Sequence, residues 1–276
     1  MPLDPVEARS PARSANVVVA TFNVLQYRSA RKVRRDMLRL ARRRDVGVIG
    51  WQEADGRRPV FARMRGRGWR TMRFRGPAAE LPVSWRTREF TLVSAAQHRM
   101  HGGRDRVVFP FPARYVTRVT LRHRVTGRTM TVLNTHVNHR TTQLRHPGRW
   151  RRGVNAALAR RHLARLAPMW LASPGRYVVG TGDFNIDYRS DRRRRPHGGP
   201  TRVFRGRAVA NWTALGSRGV RRTIRSSSAP HNRWLYDTVY ASTRSVNNGW
   251  LRFTGQRVLR GYRSDHLPVL VRFRLR

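Results

Sequence analysis

Cysteine is absent from this sequence of 276 residues, and acidic residues are scarce. The first absence excludes disulfide bonds and thiolate metal sites. Only 14 aspartates and glutamates stand against 59 lysines and arginines, and Lys32 is the single lysine. No apolar run approaches the roughly 20 residues that a membrane-spanning helix needs, so the sequence predicts no membrane span.

The excess of arginine gives the chain a formal net charge of +45 at pH 7. A charge of this size attracts polyanions. Nucleic acid is the first partner that it indicates, and an anionic lipid surface is the second. The alternative is a solvated basic surface without a dedicated partner.

The N-terminal residues 1–15, "MPLDPVEARSPARSA", contain no apolar core of the signal-peptide kind. We expect them to form a flexible leader, followed by a single domain over residues 16–276, because the sequence contains no internal repeat or convincing linker. A monomer is expected. The compartment stays open: cytoplasmic by default, and secreted if a signal has been removed.

Apolar periodicity predicts mostly strands. Buried strands are predicted at "VVVATFNV", "VGVIGWQEA", "RYVVGTGDFN", "WLYDTVYAS" and "PVLVRFRL", a hairpin at "RYVTRVTLRHRVTGRTMTVLNTHV", and two short strands around a turn at Arg86 to Arg88. Helices are predicted from Ser29 to Asp45 and from Arg151 to Ala167, where Pro168 should end or kink the second. This order favours a layered α+β sandwich over separate domains.

Several of the few acids stand at the ends of apolar strands. Glu53 follows "VGVIGWQ", Asp183 follows "VVGTG", and Asp265 comes just before "HLPVLV". Asp237 lies inside "WLYDTVY". A carboxylate near a core is costly unless it is paired or binds a cation, and an arginine could neutralise each one separately. Four acids in one context favour a shared binding site at the rim of a sheet.

Histidines and carboxamides accompany these acids. His136 and Asn138 are two positions apart on a predicted strand, so they face the same way, and so do Asp183 and Asn185. A carboxylate and a carboxamide on one face suit a hard metal ion or a water molecule to be activated. His266 follows an aspartate directly, which makes it a candidate acid or base.

Six motifs, "ATFNV", "GWQEA", "NTHVNH", "GDFN", "YDTVY" and "SDHLPV", follow one another along the chain. In this order the sequence resembles the endonuclease/exonuclease/phosphatase family, which has the DNase-like fold. The resemblance covers about Val17 to Arg276. It implies a four-layer α/β-sandwich, in which two mixed β-sheets lie face to face between helices.

The resemblance also implies hydrolysis of a phosphate ester with Mg²⁺ or Mn²⁺. It places Glu53 on the metal, with Asn23 beside it as a ligand or a neighbour of a ligand, and Asp265 completing the surroundings of the ion. The chemistry agrees, because carboxylate and amide oxygens without cysteine suit Mg²⁺ or Mn²⁺ better than Zn²⁺.

Five further residues receive catalytic roles from the resemblance. Asp183 would orient or deprotonate the attacking water, while Asn185 holds a phosphoryl oxygen. His266 would act at the phosphate as a base or a charge stabiliser, oriented by Asp237. His136 matches a position on the phosphate or leaving-group side. Whether Asp183 or His266 is the base stays open.

Other residues are candidates for contacts with substrate phosphates. They are Asn138, Arg192, Arg193, Arg194 and Arg195. The four arginines lie within a predicted loop over residues 188–207, and the alternative is that this loop is solvated and contacts no substrate. Glu80 stands near a position where some members of the family have another acidic site residue, although its spacing is loose.

The sequence therefore predicts a metal-dependent phosphodiesterase, most simply a nuclease acting on DNA or RNA. One alternative is a phosphodiesterase or phosphatase acting on a lipid or inositol phosphate. Another is a basic protein that binds nucleic acid without catalysis, which the presence of every expected catalytic residue disfavours.

Overall fold

The computed structural model describes residues 14–25, 28–102, 113–143, 146, 148–225 and 234–276. Most of the predicted leader, residues 1–13, lies outside these ranges, and the first strand begins at Ala15. Within them no helix is both long enough and apolar enough to cross a membrane.

More of the described residues lie in strands than in helices. The strands are β1 (Ala15–Asn23), β2 (Val48–Gln52), β3 (Trp69–Met72), β4 (Val83–Arg86), β5 (Phe90–His101), β6 (Arg114–His123), β7 (Thr129–His136), β8 (Tyr177–Asp183), β9 (Ala208–Ala210), β10 (Asp237–Ser242), β11 (Leu251–Val258) and β12 (Val269–Leu275). The helices are α1 (Ala30–Ala41), α2 (Arg58–Arg65), α3 (Val154–Ala172), α4 (Tyr188–Arg194), α5 (Pro200–Val203), α6 (Asn211–Ala214) and α7 (Thr243–Asn247), with a 3-10 helix at Gly76–Glu80.

The strands form two sheets of six. Sheet A has the order β11-β12-β1-β2-β4-β3, and sheet B has the order β5-β6-β7-β8-β10-β9. Each sheet is mixed, because β1 is parallel to β2 and β7 is parallel to β8, while the other pairs are antiparallel. The predicted pair of mixed sheets is confirmed.

The alternation of side chains along β1 explains the layers. Val17 and Val19 point into the core between the sheets, which they share with Val132 of β7. Val18 and Phe22, at the even-numbered positions of the strand, point to the other face and pack with residues of α1 and α2. Residues of α3 join the core on the side of sheet B. The layers are therefore helices, sheet A, sheet B and helix, as the predicted four-layer sandwich requires.

A polar seam joins the two sheets near their middle. Asn134 of β7 donates a hydrogen bond to the carbonyl oxygen of Trp51 (2.7 Å) and accepts one from Gln52 (2.7 Å). Thr181 of β8 donates to the same Asn134 oxygen (3.0 Å). Gly50 makes this approach possible, because a Cβ there would lie 1.9 Å from the Thr181 hydroxyl oxygen.

Two local predictions are confirmed in part. Strands β4 and β5 flank the predicted turn at Arg86 to Arg88, but β5 is long and the two strands do not pair: β4 belongs to sheet A and β5 to sheet B, so this turn carries the chain from one sheet to the other. Pro168 does not end α3, which is one of the two effects predicted for it; the helix continues to Ala172 and closes with a hydrogen bond from the Ser173 amide to Met169 (3.0 Å). Buried Trp170 holds the helix against the core beyond the proline.

Other elements were not predicted. Among them are α2, β3 and β11, and residues 188–207 were predicted to form a loop. The structure forms α4 and α5 there. Asp187 explains the start of α4, since its carboxylate accepts hydrogen bonds from the backbone amide (3.0 Å) and hydroxyl (2.6 Å) of Ser190.

Candidate active site

One rim of the sandwich collects the predicted site residues. The parallel strands β1 and β2 end there at Asn23 and Gln52, and β7 and β8 end there at His136 and Asp183. In sheet B, His136 is the register partner of Asp183, which in turn is the partner of Asp237. Strand register alone therefore places these three side by side.

Asp183 is the centre of this arrangement and is 1 % exposed. Its Oδ1 accepts the backbone amide of Asn185 (2.9 Å), and its Oδ2 accepts the side-chain amide of Asn23 (3.0 Å). The same Oδ2 lies 3.4 Å from Nε2 of His136 and 3.6 Å from Nε2 of His266. Burial alone would raise the pKa of Asp183, but the two histidines and these hydrogen bonds outweigh it and lower the pKa.

His266 and Asp237 form a buried pair on one side of Asp183. Nδ1 of His266 lies 2.9 Å from Oδ2 and 3.1 Å from Oδ1 of Asp237. Burial would lower the pKa of His266, but the charges of Asp237 and Asp183 outweigh it and raise the pKa well above its usual range. Burial also raises the pKa of Asp237, to about 6, against the opposing effect of His266.

His136 forms a second pair on the other side of Asp183. Its Nδ1 lies 3.2 Å from Oε2 of Glu80 and 3.1 Å from Nη1 of Arg114. Arg114 also donates directly to Glu80. Burial would raise the pKa of Glu80, but the charges of Arg114 and His136 outweigh it and lower the pKa to about 2. The geometry thus brings Glu80 into the site.

Sequence reasoning missed Arg114. It is 4 % exposed and begins β6, in phase with buried Val116 two positions later. Alternation along "RYVTRVTL" gave no signal, because it groups Arg114 with Arg118 and Thr120, opposite the more apolar set of Tyr115, Val119 and Leu121. A cation that points inward needs a buried anionic partner, and Glu80 provides it.

Glu53 stands just beyond the end of β2 with a φ of 56°, a left-handed backbone conformation that is unusual for glutamate. Its Oε1 accepts the side-chain amide of Asn23 (2.9 Å) and lies 3.9 Å from Nε2 of His136. The Asn23 oxygen accepts the backbone amide of Leu25 (2.9 Å). In this orientation the side-chain nitrogen of Asn23 donates to the carboxylates of both Glu53 and Asp183. The side-chain amide would have to flip before its oxygen could bind a metal.

Asp265 is half-buried, and the loop that carries it is anchored from α1. Buried Asp36 accepts the backbone amides of Arg263 (2.6 Å) and Ser264 (3.0 Å). The Ser264 hydroxyl donates to the carbonyl oxygen of Asn23 (2.8 Å) at the end of β1. These bonds bring Asp265 to the same rim as the other predicted residues.

The donor set at this rim fits a hard divalent cation. Glu53 and Asp265 offer carboxylate oxygens and Asn23 a carboxamide, with no cysteine sulfur anywhere in the sequence. A second grouping also exists: Asp183, Asp237 and His266 each place one ligand atom within 4.8 Å of the others. In this second grouping Nδ1 of His266 and both Asp237 oxygens are bonded to each other, while Nε2 of His266 faces Asp183.

Two predicted phosphate contacts have other partners. Asn138 is 1 % exposed; its oxygen bonds to His101 (2.8 Å) and its nitrogen to Asn155 (3.1 Å). Both polar atoms of the Asn138 side chain are therefore bonded to neighbouring side chains. Asn185, with a φ of 51°, donates its side-chain amide to the carbonyl oxygen of Val137 (2.9 Å) and faces Asp183 (3.3 Å).

The arginines of the α4 segment are exposed. They are Arg192, Arg193 and Arg194 in the last turn of α4, and Arg195 at its C-cap. Arg192 donates to the hydroxyl of Tyr188 one turn earlier (2.9 Å). The helix follows β8 by only a few residues, so these cations stand on the chain segment that leaves the site.

No family model matches the sequence, and no curated protein matches it either. Solved structures are nevertheless similar in fold. A Bacteroides thetaiotaomicron protein described as an endonuclease/exonuclease/phosphatase family protein is 14% identical, with a TM-score of 0.66 over 96% of this chain and 97% of its own. TDP2 from D. rerio, complexed with a single-strand DNA product, is 11% identical, with a TM-score of 0.70 over 94% and 99%.

A third similar structure is the human nocturnin catalytic domain with a bound sulfate anion. It is 16% identical, with a TM-score of 0.61 over 94% of this chain and 93% of its own. These similarities extend over nearly the whole of both chains, so they concern the complete sandwich. The chain therefore has the DNase-like fold of the endonuclease/exonuclease/phosphatase proteins.

Proposed function

We propose that this protein is a divalent-metal-dependent phosphoesterase, and that its substrate is a phosphodiester of nucleic acid. The observation that carries the proposal is the convergence of two histidine–carboxylate pairs on Asp183, with both Nε2 atoms within 3.6 Å of its Oδ2. Two imidazoles that face one buried carboxylate form a site suited to proton transfer and to stabilising an anionic phosphate.

We propose that Asp183 orients the attacking water and accepts its proton. The hydrogen bonds from Asn23 and from the Asn185 amide stabilise its carboxylate form, so it can accept a proton. Because Nδ1 of His266 is bonded to Asp237, only Nε2 of His266 faces the reacting phosphate. We propose that Nε2 of His266 stabilises the charge that develops on a phosphoryl oxygen, and that Asp237 orients the imidazole.

His136 approaches from the other side. Its Nδ1 is held by Glu80 and Arg114, so its Nε2 is directed toward Asp183 and Glu53. This position suits a contact with the phosphate or with the leaving oxygen. Asn185 fixes the end of β8 and keeps Asp183 in place, which is a positioning role in addition to any contact with a phosphoryl oxygen.

Glu53 and Asp265 are the residues we propose to hold Mg²⁺ or Mn²⁺, with Asn23 beside them. When bound, the ion would supply Lewis-acid neutralisation of the phosphate charge. The surrounding residues support this assignment, since several carboxylates lie close together here in a chain that has few of them.

Nucleic acid is favoured by the charge of the chain and by the exposed α4 arginines. A formal charge of +45 draws a polyanion toward the rim and raises its local concentration. Arg192, Arg193, Arg194 and Arg195 are proposed to contact the backbone of the substrate outside the reacting centre. The DNA product in the similar TDP2 structure supports this assignment. Another similar structure is a mannosyl-6-phosphatase, so the substrate has to be tested directly.

The test is a turnover screen with Mg²⁺, Mn²⁺ or EDTA on single-stranded DNA, plasmid, RNA, sphingomyelin, inositol phosphates and a sugar phosphate. We expect metal-dependent cleavage of nucleic acid. Glu53→Gln should lower turnover strongly and recover part of it at high Mg²⁺, because it removes one ligand charge. The matched control is Glu89→Gln, at the start of β5 on the opposite rim. An unchanged Mg²⁺ dependence in Glu53→Gln would remove Glu53 from the metal site, and cleavage of a lipid or sugar phosphate alone would overturn the nucleic-acid assignment.

A further inference from the structure

A basic cavity of about 510 Å³ lies beside the candidate site, at the end of β11. Among the described residues that line it, four of eight are arginines, although cations make up only about one residue in five of the chain. They are Arg221, Arg222, Arg225 and Arg260, and the apolar part of the wall includes Val258 and Leu267. We propose that this cavity is a second phosphate subsite, which binds the nucleotide next to the phosphate that is hydrolysed.

The cavity is joined directly to the catalytic histidine. Ile224 and His266 form a bridge between two chain segments, with a hydrogen bond from the Leu267 amide to Thr223 (2.7 Å). Thr223 also accepts the backbone amide of Asp237 (3.1 Å). Arg225 also donates its backbone amide to Asp265 (2.5 Å), so the segment that carries the cavity arginines is bonded to the backbone of Asp237 and of the two residues that flank His266.

The position along the rim suits a neighbouring nucleotide. His266 precedes β12, and the cavity lies at the end of β11, which is the next strand of sheet A. Adjacent strands are about 5 Å apart. A chain of nucleotides that places one phosphate against His266 can therefore place the next one over the cavity without a large bend.

Hydrogen bonds hold the cavity wall in shape before any ligand arrives. Arg189 of α4 donates to the carbonyl oxygens of Ser217 (3.1 Å), Val220 and Arg221 (3.2 Å). The guanidinium of Arg225 donates to the carbonyl oxygen of Tyr262 (3.0 Å), two residues after Arg260 of the cavity. A site ordered in advance loses less entropy when its ligand binds.

The chemistry of the wall selects the class of ligand. Guanidinium groups recognise phosphate oxygens through several planar donors. Val258 and Leu267 offer an apolar surface that suits a base or sugar rather than a second charge. The volume falls within the range of small-ligand sites, so it admits one nucleotide unit and not the width of a duplex. A single strand is the form of nucleic acid that fits.

The experiment compares two double variants that change charge equally. Arg221→Gln/Arg260→Gln alters two exposed arginines of the cavity, whereas Arg252→Gln/Arg274→Gln alters two exposed arginines that are register partners at the far end of the same strand pair. Binding of a fluorescent single-stranded hexadeoxynucleotide and of inorganic pyrophosphate is measured in EDTA over a range of salt concentrations. Thermal unfolding checks that both variants fold.

We expect the cavity variant to bind the oligonucleotide about 10-fold more weakly, with a salt slope shallower by about 0.7 for each phosphate that it no longer binds. The β11–β12 control should change both quantities by less than about 2-fold. Equal reductions in the two variants would overturn the subsite, because they would reflect only the general field of the protein. Weaker binding of inorganic pyrophosphate but not of the oligonucleotide would overturn the nucleotide assignment.

The identity of the ligand as substrate rests on the proposed function, but the binding measurement requires no turnover. If the wild type cleaves no phosphodiester and the cavity variant still loses oligonucleotide affinity selectively, the subsite stands and the proposed function fails. If the wild type cleaves DNA and the two variants bind alike, the proposed function stands and the subsite fails.

Discussion

Two histidine–carboxylate pairs flank Asp183, and a single arginine distinguishes them. His266 faces Asp237 alone at Nδ1, whereas His136 faces both Glu80 and Arg114. In the first pair the imidazole is the cationic partner of the carboxylate, and the pKa of His266 is raised by the charges of Asp237 and Asp183. In the second, Arg114 shares the carboxylate.

The difference shows how one residue type can be given two tasks within one site. The charges of Arg114 and His136 overcome the effect of burial and lower the pKa of Glu80 to about 2, so Glu80 stays ionised and bound to the arginine. Its negative charge is therefore divided between two partners. We infer that His266 carries the larger share of charge stabilisation and that His136 serves mainly to position the substrate.

The largest effect should come from the residue that both pairs share. Asp183→Asn keeps the shape but removes the carboxylate that faces both Nε2 atoms, so we expect turnover to fall about 10³-fold, within the range for general acid–base groups. Steady-state kinetics at saturating Mg²⁺ would measure it, with thermal unfolding as the control for folding. A reduction of less than about 10-fold would mean that the two pairs do not act through Asp183.

The His266 pair should come next. We expect His266→Ala and Asp237→Asn each to lower kcat by about 10²-fold. Because Asp237 acts through His266, the double variant should be little worse than the worse single one. Additive effects in this cycle would show that the two residues act separately and would break the proposed pair.

The His136 pair should be less sensitive to removal of its carboxylate. Glu80→Gln should lower kcat by only about 10-fold, because Arg114 still contacts Nδ1 of His136. The comparison with Asp237→Asn is the measurement that matters, since each substitution neutralises the carboxylate partner of one histidine. Equal effects of the two substitutions would contradict the role that we give to Arg114.

The smallest expected effect is on the free energy of unfolding at acid pH. The pKa of Glu80 is lowered from 4.5 to about 2, so its ionised form contributes stability above pH 4.5 that is lost as the pH falls toward 2. The contribution is about 3 kcal/mol. We expect the difference in free energy of unfolding between the wild type and Glu80→Gln to shrink over this range, as measured by urea titration. A difference that does not change with pH would show that Arg114 and His136 do not stabilise the charge of Glu80.

Much of the fold followed from the sequence because periodicity and burial coincide in its strands. The runs that became β1, β2, β8, β10 and β12 were predicted, and the residues at their ends meet at one rim. Alternation cannot identify the sheet to which a strand belongs, so it did not reveal that the turn between β4 and β5 passes from one sheet to the other. Arg86 lies at that crossover and is buried, where it donates to the carbonyl oxygens of Ala41 (2.9 Å) and Arg43 (3.0 Å).

The site was predicted less completely than the fold. Motifs indicated Asp183, Asp237 and His266 correctly as neighbours: β8 and β10 are adjacent in sheet B, and His266 meets them from the segment before β12 of sheet A. Arg114 belongs to no motif and acts through a contact with Glu80, which is 34 positions away along the chain. Asn138 has the right spacing for the site, but its amide is engaged with His101 and Asn155 in the interior, and spacing alone does not reveal such partners.

The polar seam between the sheets fixes the width of the candidate site. Asn23 and Glu53 extend from sheet A, while His136 and Asp183 extend from sheet B, so every distance between these two sets depends on how closely the sheets approach. Gly50 sets that approach, since any larger side chain would collide with Thr181. A methyl group added at this buried glycine would push apart two halves of a candidate site that it does not touch.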